Sequence, residues 1–145
     1  VEQTVRAHAI SAFGKLCLRR EALAKQSVEL LVLHLSGDHP FAIRSNVLLV
    51  LGDLCRKYTS LVDRFVPLMT DLLRDSHEML RRHATMTLVS LVSEDFIKLR
   101  TSIVMRFLYV LSDPSHEIRH LMESVFTRVL HPRQPALCAQ HLLDA

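Results

Sequence analysis

The chain has 145 residues, 49% hydrophobic, 23% charged and 6% aromatic, with three Gly, five Pro and no Trp, which reads as one soluble helical globular unit with little room for a second domain. Gly14, Gly37 and Gly52 stand alone and neither GxGxxG nor GxxxxGKS/T occurs, so a glycine loop that cradles nucleotide phosphates is excluded. Eighteen basic residues against fifteen acidic give a net charge of +3, with Arg outnumbering Lys fourteen to four; this is too weak to name a partner, and the Arg bias suits ion pairs, protein interfaces and phosphate contacts alike.

In chain order, helical periodicity predicts helices over Thr4–Leu18, Glu21–Ser36, Phe41–Lys57, Ser60–Arg74, Met79–Ser93, Phe96–Ser112 and Glu117–Leu130, and the opening of another over Pro135–Leu143. These segments repeat. An apolar–Arg pair recurs as Val5-Arg6, Ile43-Arg44, Leu80-Arg81 and Ile118-Arg119, at steps of 38, 37 and 38 residues. Five residues before the last three pairs stands an Asp: Asp38, Asp75 and Asp113. After each pair's apolar member, offsets 4, 8 and 11 hold Ala9, Phe13 and Leu16; Val47, Leu51 and Leu54; Ala84, Leu88 and Leu91; and Met122, Phe126 and Val129. Those offsets trace one face of a helix. On the preceding helices Leu35, Leu72 and Val110 share one register, and Val32, Met69 and Phe107 another.

Each unit is therefore two antiparallel helices, with a partial unit at 1–20, units at 21–58, 59–94 and 95–131, and a second partial unit at 135–145. A two-helix hairpin cannot bury its apolar face alone, so neighbours must stack, and the expected fold is an all-α solenoid. The chain is then a single segment of a longer array. At the turns, Asp38, Asp75 and Asp113 are expected to accept hydrogen bonds from free backbone N–H groups. Alternatively they pair with Arg44, Arg81 or Arg119 of their own or the next unit, stitching repeats together.

Catalytic chemistry finds little support. His116-Glu117-Ile118-Arg119-His120 matches HExxH, in which two His one helical turn apart hold zinc. Ile118 and Arg119 already belong to the repeat register, however, and His77-Glu78 occupies nearly the same turn one unit earlier. The downstream candidates for a third ligand, Glu123, His131, His141 and Asp144, lie on short segments. His8, His34, His39 and His83 show no ligand spacing, and no Ser, His and Asp set or close carboxylate pair stands out. No catalytic residue, metal, cofactor or small-molecule substrate is expected. Cys17, Cys55 and Cys138 are odd in number and lack CxxC spacing, which points to a reducing compartment. Cys17 and Cys55 share offset 12 beside the Leu seam, as packed thiols or, on the sharper reading, as nucleophiles. No apolar run reaches the roughly 18 residues of a membrane span, and the start, VEQTVRAH, has neither a signal core nor an initiator Met. An intracellular fragment without a membrane partner is expected.

The cations are the remainder. Arg19 and Arg20, then Arg56 and Lys57, close successive second helices at nearly equal offsets, and Arg81 and Arg82 open the next one. One reading is that cations at helix C-termini complement the dipole. The other is a ridge that tracks nucleic-acid phosphates without reading bases.

The turn Asp, the apolar–Arg pair and the aliphatic second helix together resemble a HEAT repeat. The departures are Met122, where Ala9 and Ala84 are small, and Val89 and Thr127, where Gly14 and Gly52 stand. Three stretches are more particular: GKLCL at Gly14–Leu18, NVLLVLGDLCRKYTSLVDRFVPLMTDLLRD at Asn46–Asp75 and EDFIKLR at Glu94–Arg100. With their spacing, these resemble the large D-type HEAT subunit of condensin, and the condensin II version more than the condensin I version. The resemblance covers roughly Val5 to His131, and Asp53-Leu54 to Tyr58 followed by Val62-Asp63 and Pro67 is its most telling part. It implies a non-ATPase regulatory subunit, in the nucleus and on the chromosome, that docks on the kleisin near the SMC heads and helps the complex grip DNA in mitosis. No individual residue is carried over from it. Karyopherins, phosphatase scaffolds and coat subunits share the helical-repeat plan, although karyopherins tend to be acidic on the inner face whereas this chain is mildly basic.

Overall fold

In the computed structural model, which describes residues 1–133, 135, 136 and 139, most of the repeating apolar offsets become buried seams. Every regular element among the described residues is helical, and the chain divides into two compact units, Val1–Ile97 and Lys98–Ala145. The first unit contains α1 (Glu2–Arg19), α2 (Glu21–Leu33), α3 (Phe41–Lys57), α4 (Thr59–Val62), α5 (Val66–Asp71) and α6 (Glu78–Ser93). Helix α2 folds back on α3 and α5 folds back on α6, while α1 packs along α3 and α3 along α6. This is the all-α, HEAT-type solenoid packing that the repeat predicts.

The seams follow the offsets closely in the two middle hairpins. Ile43, Val47, Leu51 and Leu54 on α3, and Leu80, Ala84, Leu88 and Leu91 on α6, are each no more than 1% exposed. Each large aliphatic among them contributes about 1.5–3 kcal/mol by leaving water, so this face drives the stacking. Helix α1 departs from the pattern. Val5, Ala9 and Leu16 are exposed, Phe13 is half-buried, and Ala7, Gly14 and Cys17 are buried instead. Helix α1 also contacts α2, but the face it buries is the one turned to α3, where Gly14 meets Val50 and Ala7 O accepts from Asn46.

Two first-type helices differ from expectation. The segment expected as one helix over Ser60–Arg74 is α4, a 3-10 turn at Asp63–Phe65, α5, and a second 3-10 turn at Leu72–Arg74. Pro67 has no N–H to give the carbonyl of Asp63 and its ring crowds that carbonyl, so the helix restarts with Pro67 in the first turn of α5. The helix expected from Phe96 begins at Thr101. Residues 95–97 cap α6 instead: Asp95 N–H bonds Val92 O at 3.1 Å and Phe96 N–H bonds Leu91 O at 2.9 Å. Asp95 takes a left-handed φ of 62°, the pairing of a Schellman cap with Asp where Gly is usual.

The second unit carries α7 (Thr101–Val110), α8 (His116–Val125) and α9 (His131–Arg133), with a π-helical turn at Phe126–Leu130. Ile103, Val104 and Phe107 of α7, with Ile118 and Met122 of α8, are buried. The wider π turn holds an extra residue, which moves the buried position from Val129, half-buried, to Leu130, fully buried. Most of the helix expected at Pro135–Leu143, with Cys138, His141 and Asp144, lies outside the described residues.

Close approach of the second-type helices rests on two glycines. A Cβ at Gly14 would stand 2.5 Å from Val50 Cγ2 and 2.8 Å from Val50 Cγ1, and one at Gly52 would stand 2.9 Å from Thr87 Cγ2. Val and Thr are stiff at χ1 and cannot swing aside. Gly14→Ala gains about 1 kcal/mol of helix propensity but overpacks the seam at a cost of about 1–3 kcal/mol. Chemical denaturation should therefore find Gly14→Ala less stable than the parent chain, and Gly37→Ala, where nothing lies within 4 Å, close to neutral.

Candidate interaction surface

The turns before the second-type helices share a construction. Asp75 Oδ1 accepts the His77 N–H at 2.9 Å, and Asp113 Oδ1 accepts the Ser115 N–H at 2.8 Å, each an Asx turn leading into a helix. Arg81 Nη1 then donates back to the Asp75 and Ser76 carbonyls at 3.0 and 3.3 Å. Arg119 Nη1 does the same to Asp113 and Pro114. At Asp38 the residue two places on is Pro40, which has no N–H, and Asp38 is exposed. Arg44 accordingly takes another course. Its Nε donates to Leu35 O at 2.9 Å, and its Nη2 pairs with Asp75 Oδ2 of the following hairpin, both side chains being about 10% exposed.

The second-type helices of the first unit are tied along their length. Asn46 Nδ2 donates to Ala7 O at 2.8 Å, and the Ser45 hydroxyl and His83 Nδ1 share a hydrogen bond at 2.5 Å. The apolar repeat pattern does not mark these polar residues. Their signal is positional, since His8, Asn46 and His83 all stand three residues after the apolar member of the pair.

The six cations separate into groups. Lys57 Nζ and Tyr58 Oη both donate to Leu18 O, an otherwise unpaired carbonyl of the last turn of α1. Arg56 Nη2 donates to Ser90 Oγ at 2.8 Å and to Glu94 at 3.2 Å, and Arg56 Nη1 lies 3.5 Å from Asp53. Arg19 and Arg20, where α1 meets α2, are exposed. Lys57 reaches the last turn of α1, which gathers Arg19, Arg20 and Lys57 at one edge. Arg81 and Arg82 open α6, about 14 Å of helix rise before the Ser90 that Arg56 reaches.

Neither Cys17 nor Cys55 is set up as a nucleophile. Burial raises the Cys17 thiol above its ordinary value, and burial followed by the Asp63 carboxylate pushes Cys55 up to about 11; both thiols are protonated at neutral pH. His116, Glu117 and His120 are exposed on the first turns of α8. Among the described residues no group of three or more His, Cys, Asp or Glu is placed to hold a metal ion. No helix of the described residues is long and apolar enough to cross a membrane.

Two of these interactions are measurable. Removing Asp75 strands a nearly buried guanidinium, so Asp75→Ala should cost about 2–4 kcal/mol, and an Arg44→Met, Asp75→Leu double variant less than the sum of its parts. A double-mutant cycle by urea unfolding checks this; strict additivity would mean that the two side chains do not interact. Hydrogen bonds from Arg56 and then Ser90 hold the Glu94 carboxyl below its ordinary 4.5. A lowered folded-state pKa stabilises above the unfolded pKa and is lost as pH falls through the folded value. The stability difference between parent and Glu94→Gln should therefore shrink below about pH 4.5 and stay constant above it, as thermal melts across pH would read.

Comparison with known proteins adds a pedigree. Residues 42–141 match the family described as non-SMC mitotic condensation complex subunit 1, and residues 1–35 match condensin-2 complex subunit D3-like HEAT repeats. The chain is 39% identical over 140 residues to condensin-2 complex subunit D3-L of Xenopus laevis and 37% identical to condensin-2 complex subunit D3 of Mus musculus, covering 97% of this chain and 9% of each relative. Condensin complex subunit 1 of Homo sapiens is 28% identical over 120 residues, covering 83% of this chain and 8% of that relative. The chain thus spans less than a tenth of the length of these curated relatives.

Proposed function

Since this chain belongs to the family of non-SMC subunits of the mitotic condensation complex, we propose that it is a non-catalytic scaffold segment of a condensin, acting in chromosome condensation in the nucleus and on the chromosome. Its stacked second-type helices offer a face to the kleisin and SMC partners, and the edge holding Arg19, Arg20 and Lys57 offers cations to the DNA backbone. The family supports the first part. One observation carries the second: Arg19 and Arg20 stand exposed beside the Lys57 that caps α1, whereas Arg56 is engaged by Asp53 and Glu94. Arg44, Asp75, Arg81, Asp113 and Arg119 act in this reading as the fasteners of turns and hairpins, the exposed Asp38 does not join them, and Arg82 is an exposed cation of a second, separate edge.

Binding to duplex DNA over a range of salt concentrations tests the cationic edge. For every phosphate that goes unneutralised in a variant, the plot of log affinity against log salt should become shallower by about 0.9. Arg19→Gln with Arg20→Gln should flatten the slope and leave the melting temperature unchanged, while Arg56→Gln should change the slope far less. If the double variant keeps both slope and affinity, the assignment of this edge to DNA is wrong. Co-purification with kleisin and SMC subunits then tests the protein-docking part on its own.

A further inference from the structure

The strongest unassigned feature is a pair of imidazoles in the turn between α2 and α3. His34 caps the end of α2 and His39 precedes Pro40, the N-cap of α3. Their separation in sequence matches no ligand motif, but the turn stacks the two half-buried rings with centroids 4.7 Å apart and planes 27° from parallel. His34 Nδ1 lies 2.8 Å from Leu30 O. A carbonyl only accepts, so the proton of the neutral ring sits on Nδ1 and the Nε2 lone pair is left for another atom. Metal-binding histidines are oriented in this way, with the second ring nitrogen donating to a carbonyl or carboxylate. No hydrogen bond among the described residues holds the His39 ring, and its soft χ2 torsion lets it turn a nitrogen to the same point. Two imidazoles on one tetrahedral ion hold their ring centres roughly 5 Å apart, given metal–nitrogen bonds of about 2.0–2.1 Å, which is close to the spacing here. Asp38, bonded to His39, is exposed, and Pro40 deprives it of the N–H that Asp75 and Asp113 hold. Gly37, with nothing within 4 Å of its Cβ position, leaves the turn room to adjust.

We propose that His34 and His39 bind one divalent transition-metal ion of the zinc, copper and nickel class, with the Asp38 carboxylate adding attraction and water filling the remaining positions. Imidazole nitrogen selects these ions over Mg²⁺ and Ca²⁺, which take oxygen ligands. Two protein ligands are fewer than the three or four of resident zinc sites, and no group of three is placed among the described residues. The ion is therefore exchangeable and not a permanent cofactor. Its effect is mechanical: it ties the last residue of α2 to the residue before α3, across the one of these turns whose Asp has no backbone donor two places on. At this hairpin the ion does what the Asx turns of Asp75 and Asp113 do at theirs.

Isothermal titration of the whole chain with zinc chloride in a non-chelating buffer tests the proposal. Zinc should bind, magnesium should not, and His34→Gln and His39→Gln should each weaken the zinc event roughly tenfold or more. His116 and His120, one helical turn apart on α8 with ring centroids 6.2 Å apart, are the competing pair in this chain. A His116→Gln, His120→Gln variant is therefore titrated alongside and should keep the event. Zinc should also raise the melting temperature of the parent by mass action and leave that of His39→Gln where it was. His34→Gln loses the contact with Leu30 O, so if it melts lower than the parent the comparison is carried by His39→Gln. The absence of zinc binding at millimolar metal overturns the proposal, as does an event that both single variants retain. Loss confined to the His116 and His120 variant overturns it too, because the ion then sits on α8, and so does an equal rise in melting temperature for parent and His39→Gln.

Discussion

A helical hairpin of this sequence cannot cover the flank of its own second helix, and the first unit is organised by how the neighbouring hairpin supplies that cover. Helices α1, α3 and α6 lie close enough that Gly14 meets Val50 and Gly52 meets Thr87. At such spacing no water layer separates the helices, so any polar atom in the seam must find a partner across it. Asn46 finds the carbonyl of Ala7, Ser45 finds His83, and Lys57 with Tyr58 finds Leu18. Aliphatic burial supplies the drive, and these bonds fix the register in which it occurs.

The same constraint redistributes charge. Residues that repeat at equal offsets become neighbours when hairpins stack, so a basic residue in one unit meets whatever its counterpart's surroundings offer in the next. Arg56 meets Ser90 and Glu94, and Lys57 meets a helix C-terminus. Arg19 and Arg20 stand exposed at that edge without such a tie, beside a Lys57 that is exposed too. A stripe of cations in sequence thus becomes, in space, a mixture of fasteners and free charge, and only the latter suits a phosphate backbone.

One missing N–H has an outsized effect on the opposite side. Pro40 stands where His77 and Ser115 stand in the later turns, and the Asx turn made by Asp75 and Asp113 has no donor at Asp38. Arg44, six residues after Asp38 as Arg81 is after Asp75, reaches across to the next hairpin's Asp75. That ion pair joins two hairpins, so the local turn chemistry decides how neighbouring hairpins are held together.

The period, the pairing of helices into hairpins and the buried offsets of α3 and α6 were legible in the sequence, because burial on one helix face imposes its own 3.6-residue spacing whatever lies opposite. The break at Pro67 was missed, because an otherwise helical pattern runs through it, although a missing N–H is a local fact. Other features needed the fold. Which face α1 buries depends on the neighbour it has. That residues 95–97 cap α6 instead of opening α7 depends on carbonyls at Leu91 and Val92 that need donors. The carboxylates that Arg44 and Arg56 reach in the next hairpin stand 31 and 38 residues away. By itself, then, the sequence determined the repeat and the helical class, which are properties of side-chain periodicity. The tertiary structure alone decided which charges are consumed in holding hairpins together and which face solvent, because a long flexible cation goes to whichever acceptor the packing brings within reach.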